Sequence, residues 1–339
     1  MDNLCHTLVG LAIGEAGLKR RTPLGNATLM IGANIPDLDA LAGFWGRTES
    51  LAFRRGWTHG VLGVAVWPFV LTGAMLAFDR LVRRRRFPAR PAADPRGLLL
   101  LATVAVLTHP LLDLLNTYGV RLLMPFSGRW FYGDTLFIVD PWVWLALLVG
   151  IVLARRAARR GAAEPWRPAR RALVAVGAYV AAMAVLGVLS RRAARDALRV
   201  EGIRAGRMMA GPAPLDPLRR DVVAVVDGGY TTADVYWFTA RSEDGTRIWK
   251  AGAIVAEPAL FERNDALPAA RAAALTPAGR TFLSWARFPV FTIGPDNRCR
   301  AGWVCLSDLR YGVNGWARVA VRTRGTLSSP ASPRSPEPP

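Results

Sequence analysis

Cysteine and histidine are both scarce in this 339-residue chain, with three of each. Three cysteines cannot build a disulfide framework. Cys299 and Cys305, in CRAGWVC, can pair if that region lies outside the cytoplasm, or can stand as two thiols; the spacing leaves both open. No histidine falls in the C-terminal third. The chain also lacks a P-loop, a dinucleotide-binding glycine fingerprint and an H-E-x-x-H pair, which removes the motif-based nucleotide and helical zinc-protease readings. It has no G-x-S-x-G, and Ser127 in PFSGRW has no nucleophile elbow around it. The N-terminal MDNLCHTLVGLAIGEAG has neither the basic start nor the small-residue cleavage site of a signal peptide, so it is expected to be retained.

Acidic residues are also short, 25 against 44 basic, for a formal net charge of +19. A nucleic-acid binder can look like this. Here, however, the arginines stand at the ends of apolar runs, as in DRLVRRRRFPAR (79–90) and ARRAARRGAAEPWRPARR (154–171). That placement marks cytoplasmic membrane loops and contact with anionic headgroups, so the expected partners are membrane lipids and not nucleic acid.

Hydrophobic residues make up 52% of the chain and are concentrated in runs. Four segments, 60–78, 97–115, 136–154 and 172–189, reach the roughly 18 to 20 residues a membrane helix needs. In the third, Asp140-Pro141 suggests that the helix begins at Pro141, with Trp142 and Trp144 in the interfacial belt. Two earlier apolar pieces, 7–18 and 24–35, are too short to span and fit re-entrant or surface-lying helices. Gly10 and Gly14 follow His6 at four-residue intervals and leave a smooth face for a neighbouring helix. After residue 190 the pattern changes to short Val/Tyr/Thr-rich strands with Asp-Gly turns and a helical interlude at 264–289. The expected fold is mostly α: a polytopic bundle of about four spans with short N-terminal helices over 1–190, then a small soluble α+β domain over 200–325. A disordered Pro/Ser-rich tail is expected at 326–339.

The chemistry collects around the three histidines, His6, His59 and His109. Counting spans brings His109, Asp113 and Asn116, near the end of the second span, back to the side where His6, Asp37, Asp39 and His59 begin. Asp134 and Asp140, at the start of the third, join them. NIPDLDAL also reads as a helix-starting turn, since Asp caps helices well. Within the second span, though, His109 and Asp113 share a helix face, and a carboxylate at a helix centre costs about 2.5–3.5 kcal/mol on insertion scales. Imidazole and carboxylate without a cysteine cluster suit a divalent metal, zinc first, with manganese or iron as alternatives.

These motifs together, the N-terminal His with spaced glycines, NIPDLDAL, GWTHG and THPLLDLLNTYGVRLLMPFSGRWFYGDTLFIVDP, resemble the YdjM-like family of bacterial inner-membrane proteins classed as metal-dependent hydrolases. The resemblance covers about residues 1–190. It implies His6, Asp37, Asp39, His59, His109 and Asp113 as functional positions, with Asp140 as an addition.

The expected function is a multi-pass inner-membrane hydrolase that holds one or two divalent metals on those six residues. Asp39 or Asp113 would act as the general base on water. The expected substrate is a phosphoester or lipid-linked molecule, with Arg54, Arg55 and Arg129 to hold phosphate and Asn116 and Asp140 nearby. Two other readings are a His/Asp cluster that passes protons or ions, and a membrane anchor for a C-terminal binding module. The positive-inside rule puts loops 79–96 and 154–171 in the cytoplasm, and the site and C-terminal domain outside. Lys19, Arg20 and Arg21, and the basic SRRAARDALR at 190–199, count against that assignment, since linear counting places both on the outer face.

Overall fold

The computed structural model describes residues 1–237, 258–295, 299–313 and 315–322, with short strand pieces at 240–241, 247–248 and 254–255. The tail expected at 326–339 lies outside the described residues. The chain divides into two compact units, Met1–Ala224 with Thr232–Ala259, and Val225–Thr231 with Leu260–Pro339.

The first unit opens with helices α1 (Asn3–Glu15) and α2 (Gly25–Gly32). Asp2 starts α1 by accepting from the amides of Leu4 and Cys5, both at 3.0 Å. The two helices cross closely because their contact has no side chains in the way. A Cβ on Gly10 would lie 2.6 Å from the carbonyl oxygen of Leu29, and one on Gly14 would strike Asn26. A tight three-residue-per-turn segment, Ile35–Trp45, and the short α3 (Arg47–Phe53) follow.

Among the described residues, four helices are long and apolar enough to cross a membrane. They are α4 (Val61–Phe78, continuing to Arg86), α5 (Pro95–Leu114), α6 (Pro141–Arg159) and α7 (Arg167–Val200). The third begins at Pro141, with Asp140 capping it through the amides of Trp142 and Val143. The fourth extends past 172–189 at both ends. The hairpin α1–α2 is enclosed by these spans: α1 packs on α6 and α7, and α2 on α5 and α4. Large apolar side chains such as Phe69, Leu111, Leu145 and Val174 point outward, as a lipid-facing surface requires.

One expectation about charge changes here. Lys19, Arg20 and Arg21 are not at the histidine end of the bundle. Thirteen residues of α1 carry the chain about 20 Å along the bundle. At its far end, buried Glu15 pairs with Lys19 and, at 3.1 Å, with Arg155 near the end of α6. Arg170 donates to the Ala16 carbonyl, and Arg20 stacks over Trp166. The basic turn therefore joins the arginine-rich loops 79–96 and 154–171 at one end. Because α2 returns the chain, Asp37 and Asp39 still arrive at the opposite end, with His6.

Strands β1 (Met208–Pro212), β2 (Arg219–Val226) and β3 (Gly229–Tyr236) follow α7. With the short β4 (Ala240–Arg241), β5 (Arg247–Ile248) and β6 (Ile254–Val255), they give an antiparallel sheet ordered β1-β2-β3-β6 and a separate β4-β5 pair. Ala194 and Leu198 on the extension of α7 pack into one core with Met208, Val222, Ala224 and Val235. The 190–200 stretch is thus helix, and its apolar face supports the sheet. Arg220 is wholly buried and donates to the carbonyls of Thr135, at 3.1 Å, and Met183, at 2.9 Å.

The second unit holds β7 (Ala259–Glu262), α8 (Pro268–Leu275), α9 (Pro277–Trp285) and a three-stranded antiparallel sheet. That sheet has β9 (Trp303–Asp308) between β8 (Pro289–Ile293) and β10 (Arg318–Arg322). Cys299 and Cys305 are disulfide-bonded, with Cα atoms 5.9 Å apart; Cys5 is a free buried thiol. The C-terminal region is α+β, as its sequence pattern indicates.

Candidate metal centre

Each cluster residue reaches the centre from a different local structure. In the Ile35–Trp45 turn, Asp37 and Asp39 point inward while Leu38, Leu41, Phe44 and Trp45 point outward. Asn34 anchors the start of that turn, donating to Thr7 on α1 and to the Met30 carbonyl on α2. His59 lies in the Gly56–Gly60 turn just before α4. His109 and Asp113 occupy one face of the last turns of α5. His6 projects from the first turn of α1 and stacks on His109, with ring centroids 3.9 Å apart. His6, His59, His109 and Asp113 have no solvent exposure, and Asp37 has 8%.

Asp37, His59, His109 and Asp113 each offer one donor atom, and all four atoms lie within 4.8 Å of one another. The Nε2 atoms of His59 and His109 are 3.0 Å apart. Asp113 Oδ2 is 3.3 Å from the first and 3.5 Å from the second. Asp37 Oδ1 is 3.8 Å and 3.9 Å from the same two nitrogens. Donors placed at zinc–nitrogen and zinc–oxygen bond lengths on a tetrahedron are separated by about 3.3 Å. These four could hold a metal ion.

The outer hydrogen bonds fix which nitrogen faces inward. His109 Nδ1 lies 2.6 Å from the Ala33 carbonyl, which can only accept, so this nitrogen carries the proton. Thr58 gives its one hydroxyl proton to Asp39 Oδ2 at 3.1 Å. Its oxygen then accepts from His59 Nδ1 at 2.8 Å. In the neutral rings both Nε2 atoms therefore present lone pairs to each other. Two lone pairs 3.0 Å apart repel unless positive charge lies between them, either a metal ion or a proton on His59. Asp37 Oδ1 and Asp113 Oδ2 are also buried without a hydrogen-bond partner. The donor set fits a cation: two imidazoles and two carboxylates aimed at one point, the carboxylate oxygens otherwise held only by ion pairs to Arg54 and Arg55.

The remaining expected residues take other positions. Asp39 is on the opposite side of His59, with Oδ2 3.3 Å from Nδ1, and also accepts from the Arg55 amide at 2.6 Å. Its other oxygen accepts from Arg54 at 3.2 Å. This is the place of a carboxylate that orients a metal-binding histidine. His6 Nε2 is 3.4 Å from Asp113 Oδ1, an oxygen that also pairs with the Met1 amino group. Arg55 is buried, its Nε 3.1 Å from Asp113 Oδ2, and it donates to Asn116 Oδ1 and the Gly119 carbonyl. Arg54 reaches both Asp37 and Asp39 and keeps 24% of its side chain exposed. Asn116 is buried and braces the turn through the Tyr118 amide as well as Arg55. Arg129 is exposed and stacks over Phe131. Asp140 caps α6 and accepts from Tyr179. Thr58 and the Ala33 carbonyl were not singled out from the sequence, although Thr58 is the neighbour of His59 in GWTHG.

Electrostatics outside the spans follow from this wiring. Burial pushes the His6 imidazole down to about 3, a shift only partly opposed by the Asp113 carboxylate 3.4 Å away. Burial also works against charge on Asp39 and His59. For Asp39 the neighbouring His59, Arg54 and the Arg55 amide outweigh it, and for His59 the carboxylates of Asp113 and Asp39 do. Asp39 is held below the usual carboxylate range and His59 above the usual imidazole range.

A family model described as YdjM inner membrane protein matches residues 1–193 of this chain, over half its length. The chain belongs to the YdjM family. All members of the cluster, and all four spans up to residue 193 of α7, fall inside the YdjM match. The chain is also similar to the protein named Uncharacterized protein YfhP of Bacillus subtilis (strain 168), with 24% identity over 163 residues. That alignment covers 45% of this chain and 46% of the relative, so the chain spans about half the length of the curated relative it matches. No solved structure matches it. As a YdjM protein with four membrane-length helices it is a multi-pass inner-membrane protein.

Proposed function

We propose that this YdjM protein is a metal-dependent hydrolase whose site is built into the membrane bundle. The observation that carries the reading is the pair of inward Nε2 atoms 3.0 Å apart, backed by carboxylate oxygens of Asp37 and Asp113 that face the same point and make no hydrogen bond there. Zinc is the first choice for this donor set, with manganese or iron next. A divalent ion supplies Lewis-acid polarisation of a phosphoryl or carbonyl oxygen and activation of water.

The chain's own residues do the rest. Asp39 and Thr58 hold the His59 ring, the Ala33 carbonyl holds His109, and Arg55 braces Asp113. Arg54, beside the least buried carboxylate, offers a guanidinium to an anionic substrate oxygen. The substrate class is a phosphoester or lipid-linked molecule arriving from the membrane surface. The site faces the cell exterior: the gathering of Lys19–Arg21 with the two arginine-rich loops at the opposite end supports that sidedness, as does the Cys299–Cys305 bond.

Metal analysis of detergent-purified protein tests the reading, joined to hydrolysis of a chromogenic phosphate diester with and without chelator. One equivalent of metal and chelator-sensitive turnover are expected, and both should be lost in His59→Ala and His109→Ala. Absence of stoichiometric metal in the parent protein would overturn it.

A further inference from the structure

The segment that delivers the ligands has two faces with opposite character. Asp37 and Asp39 turn into the cluster, while Phe44 is 87% and Trp45 75% exposed, with Leu41 beside them half-exposed. Phe126, in the loop whose Leu122 carbonyl accepts from the Val61 amide, is 82% exposed. An aqueous surface rarely gathers large apolar side chains in this way.

Depth decides what covers them. Helix α5 has 20 residues, about 30 Å, which matches the hydrocarbon thickness of a bilayer. His109 lies five residues before its end, about 7 Å inside, and Asp113 one residue before it. The Asp37 carboxylate meets these side chains, so the 35–57 segment lies at the level where acyl chains meet headgroups. Trp and Phe favour that layer, and Arg54 and Arg47 suit its phosphates.

We infer that residues 35–57 form an in-plane lip immersed in the leaflet on the site's side. The mouth of the cluster, at Asp37 and Arg54, opens into that leaflet, and the ligand it takes is a membrane-resident amphiphile with an anionic head. Only the anionic head rests on the function proposed above; the immersion rests on depth and exposure.

The immersion is tested on the full chain in phosphatidylethanolamine/phosphatidylglycerol liposomes. Single cysteines replace Phe44, Trp45 or Phe126 and carry spin labels, with Cys5 buried and the native disulfide intact. Phe69, on the outer face of α4, is the lipid reference, and Glu201, exposed past the last span, is the water reference. Labels on the lip should collide with oxygen several-fold more than with a water-soluble nickel chelate, as at Phe69. Collisions like those at Glu201 overturn the proposal. Low collision with both reagents together with spin–spin broadening also overturns it, because a second copy would then cover the lip.

The ligand class is read separately by thermal unfolding in nanodiscs, without any turnover. Dodecyl phosphate should raise the melting temperature at concentrations at least tenfold below those at which inorganic phosphate acts, and Arg54→Gln should abolish the shift. Equal potency of the two, or a shift that survives Arg54→Gln, removes the amphiphile assignment. An immersed lip with no hydrolysis of any ester would count against the hydrolase and leave the lip standing.

Discussion

Asp39 and His59 meet on the side of the imidazole that faces away from the other ligands, with Oδ2 3.3 Å from Nδ1. That relationship separates Asp39 from Asp37, two residues earlier, whose Oδ1 faces both Nε2 atoms. A ligand and a positioning group respond differently when removed.

Asp39→Ala should keep one equivalent of metal but weaken its affinity by about 10- to 100-fold, the usual cost of losing an outer partner of a metal-bound histidine. Asp113→Ala should lose the metal altogether. Competition with a fluorescent chelator measures both. Equal loss in the two variants would make Asp39 a ligand.

The site was legible as a set of residue types and not as a set of roles. Three histidines in the first third, each beside a polar residue, are visible in the sequence, and span counting brings them together. The division of work between Asp37 and Asp39 is not visible. Two residues apart on an α-helix, a strand or a three-residue turn point in three different relative directions. Arg55 was read as a phosphate holder because arginine normally stays in water. Its burial depends on Asp113, Asn116 and Tyr118, about 60 positions along the chain. The position of Lys19–Arg21 is hidden from span counting because α1 is too short to count as a span, yet still carries the chain from one end of the bundle to the other.

Gly10→Ala should destabilise the protein, because the new Cβ would meet the backbone oxygen of Leu29 at 2.6 Å and α1 would have to move off α2. A cost of about 1–3 kcal/mol is expected, the range for overpacking. Gly73→Ala is the control, since nothing lies within 4 Å of its Cβ position. Thermal unfolding in one detergent should show a clear drop for the first and little change for the second. Similar melting temperatures would mean that the α1–α2 contact is loose.

Arg220→Met should also lower the melting temperature. It removes the charged donor that the buried carbonyls of Thr135 and Met183 share. Each such loss costs about 1–3 kcal/mol. Arg220→Lys should rescue little, because one ammonium on a flexible stem does not reproduce a planar fork. Full rescue by lysine would show that charge alone matters at this position.

Under denaturing conditions without reductant, maleimide should label one cysteine, Cys5, and after reduction all three. A reporter active only outside the cytoplasm should work when joined after residue 322 and fail near residue 90. Three labelled thiols without reductant would remove the disulfide. Activity at residue 90 alone would invert the topology.

The order in which the donors occur along the chain has a consequence for biosynthesis. The last of the four, Asp113, is made before α6 and α7 begin, yet α1 needs those two helices to cover its outer side. A nascent chain therefore holds the complete donor set while its first helix is still half uncovered. If the cluster holds an ion, the order of translation lets that ion be captured before the bundle closes, and it would then be a template on which the later helices settle.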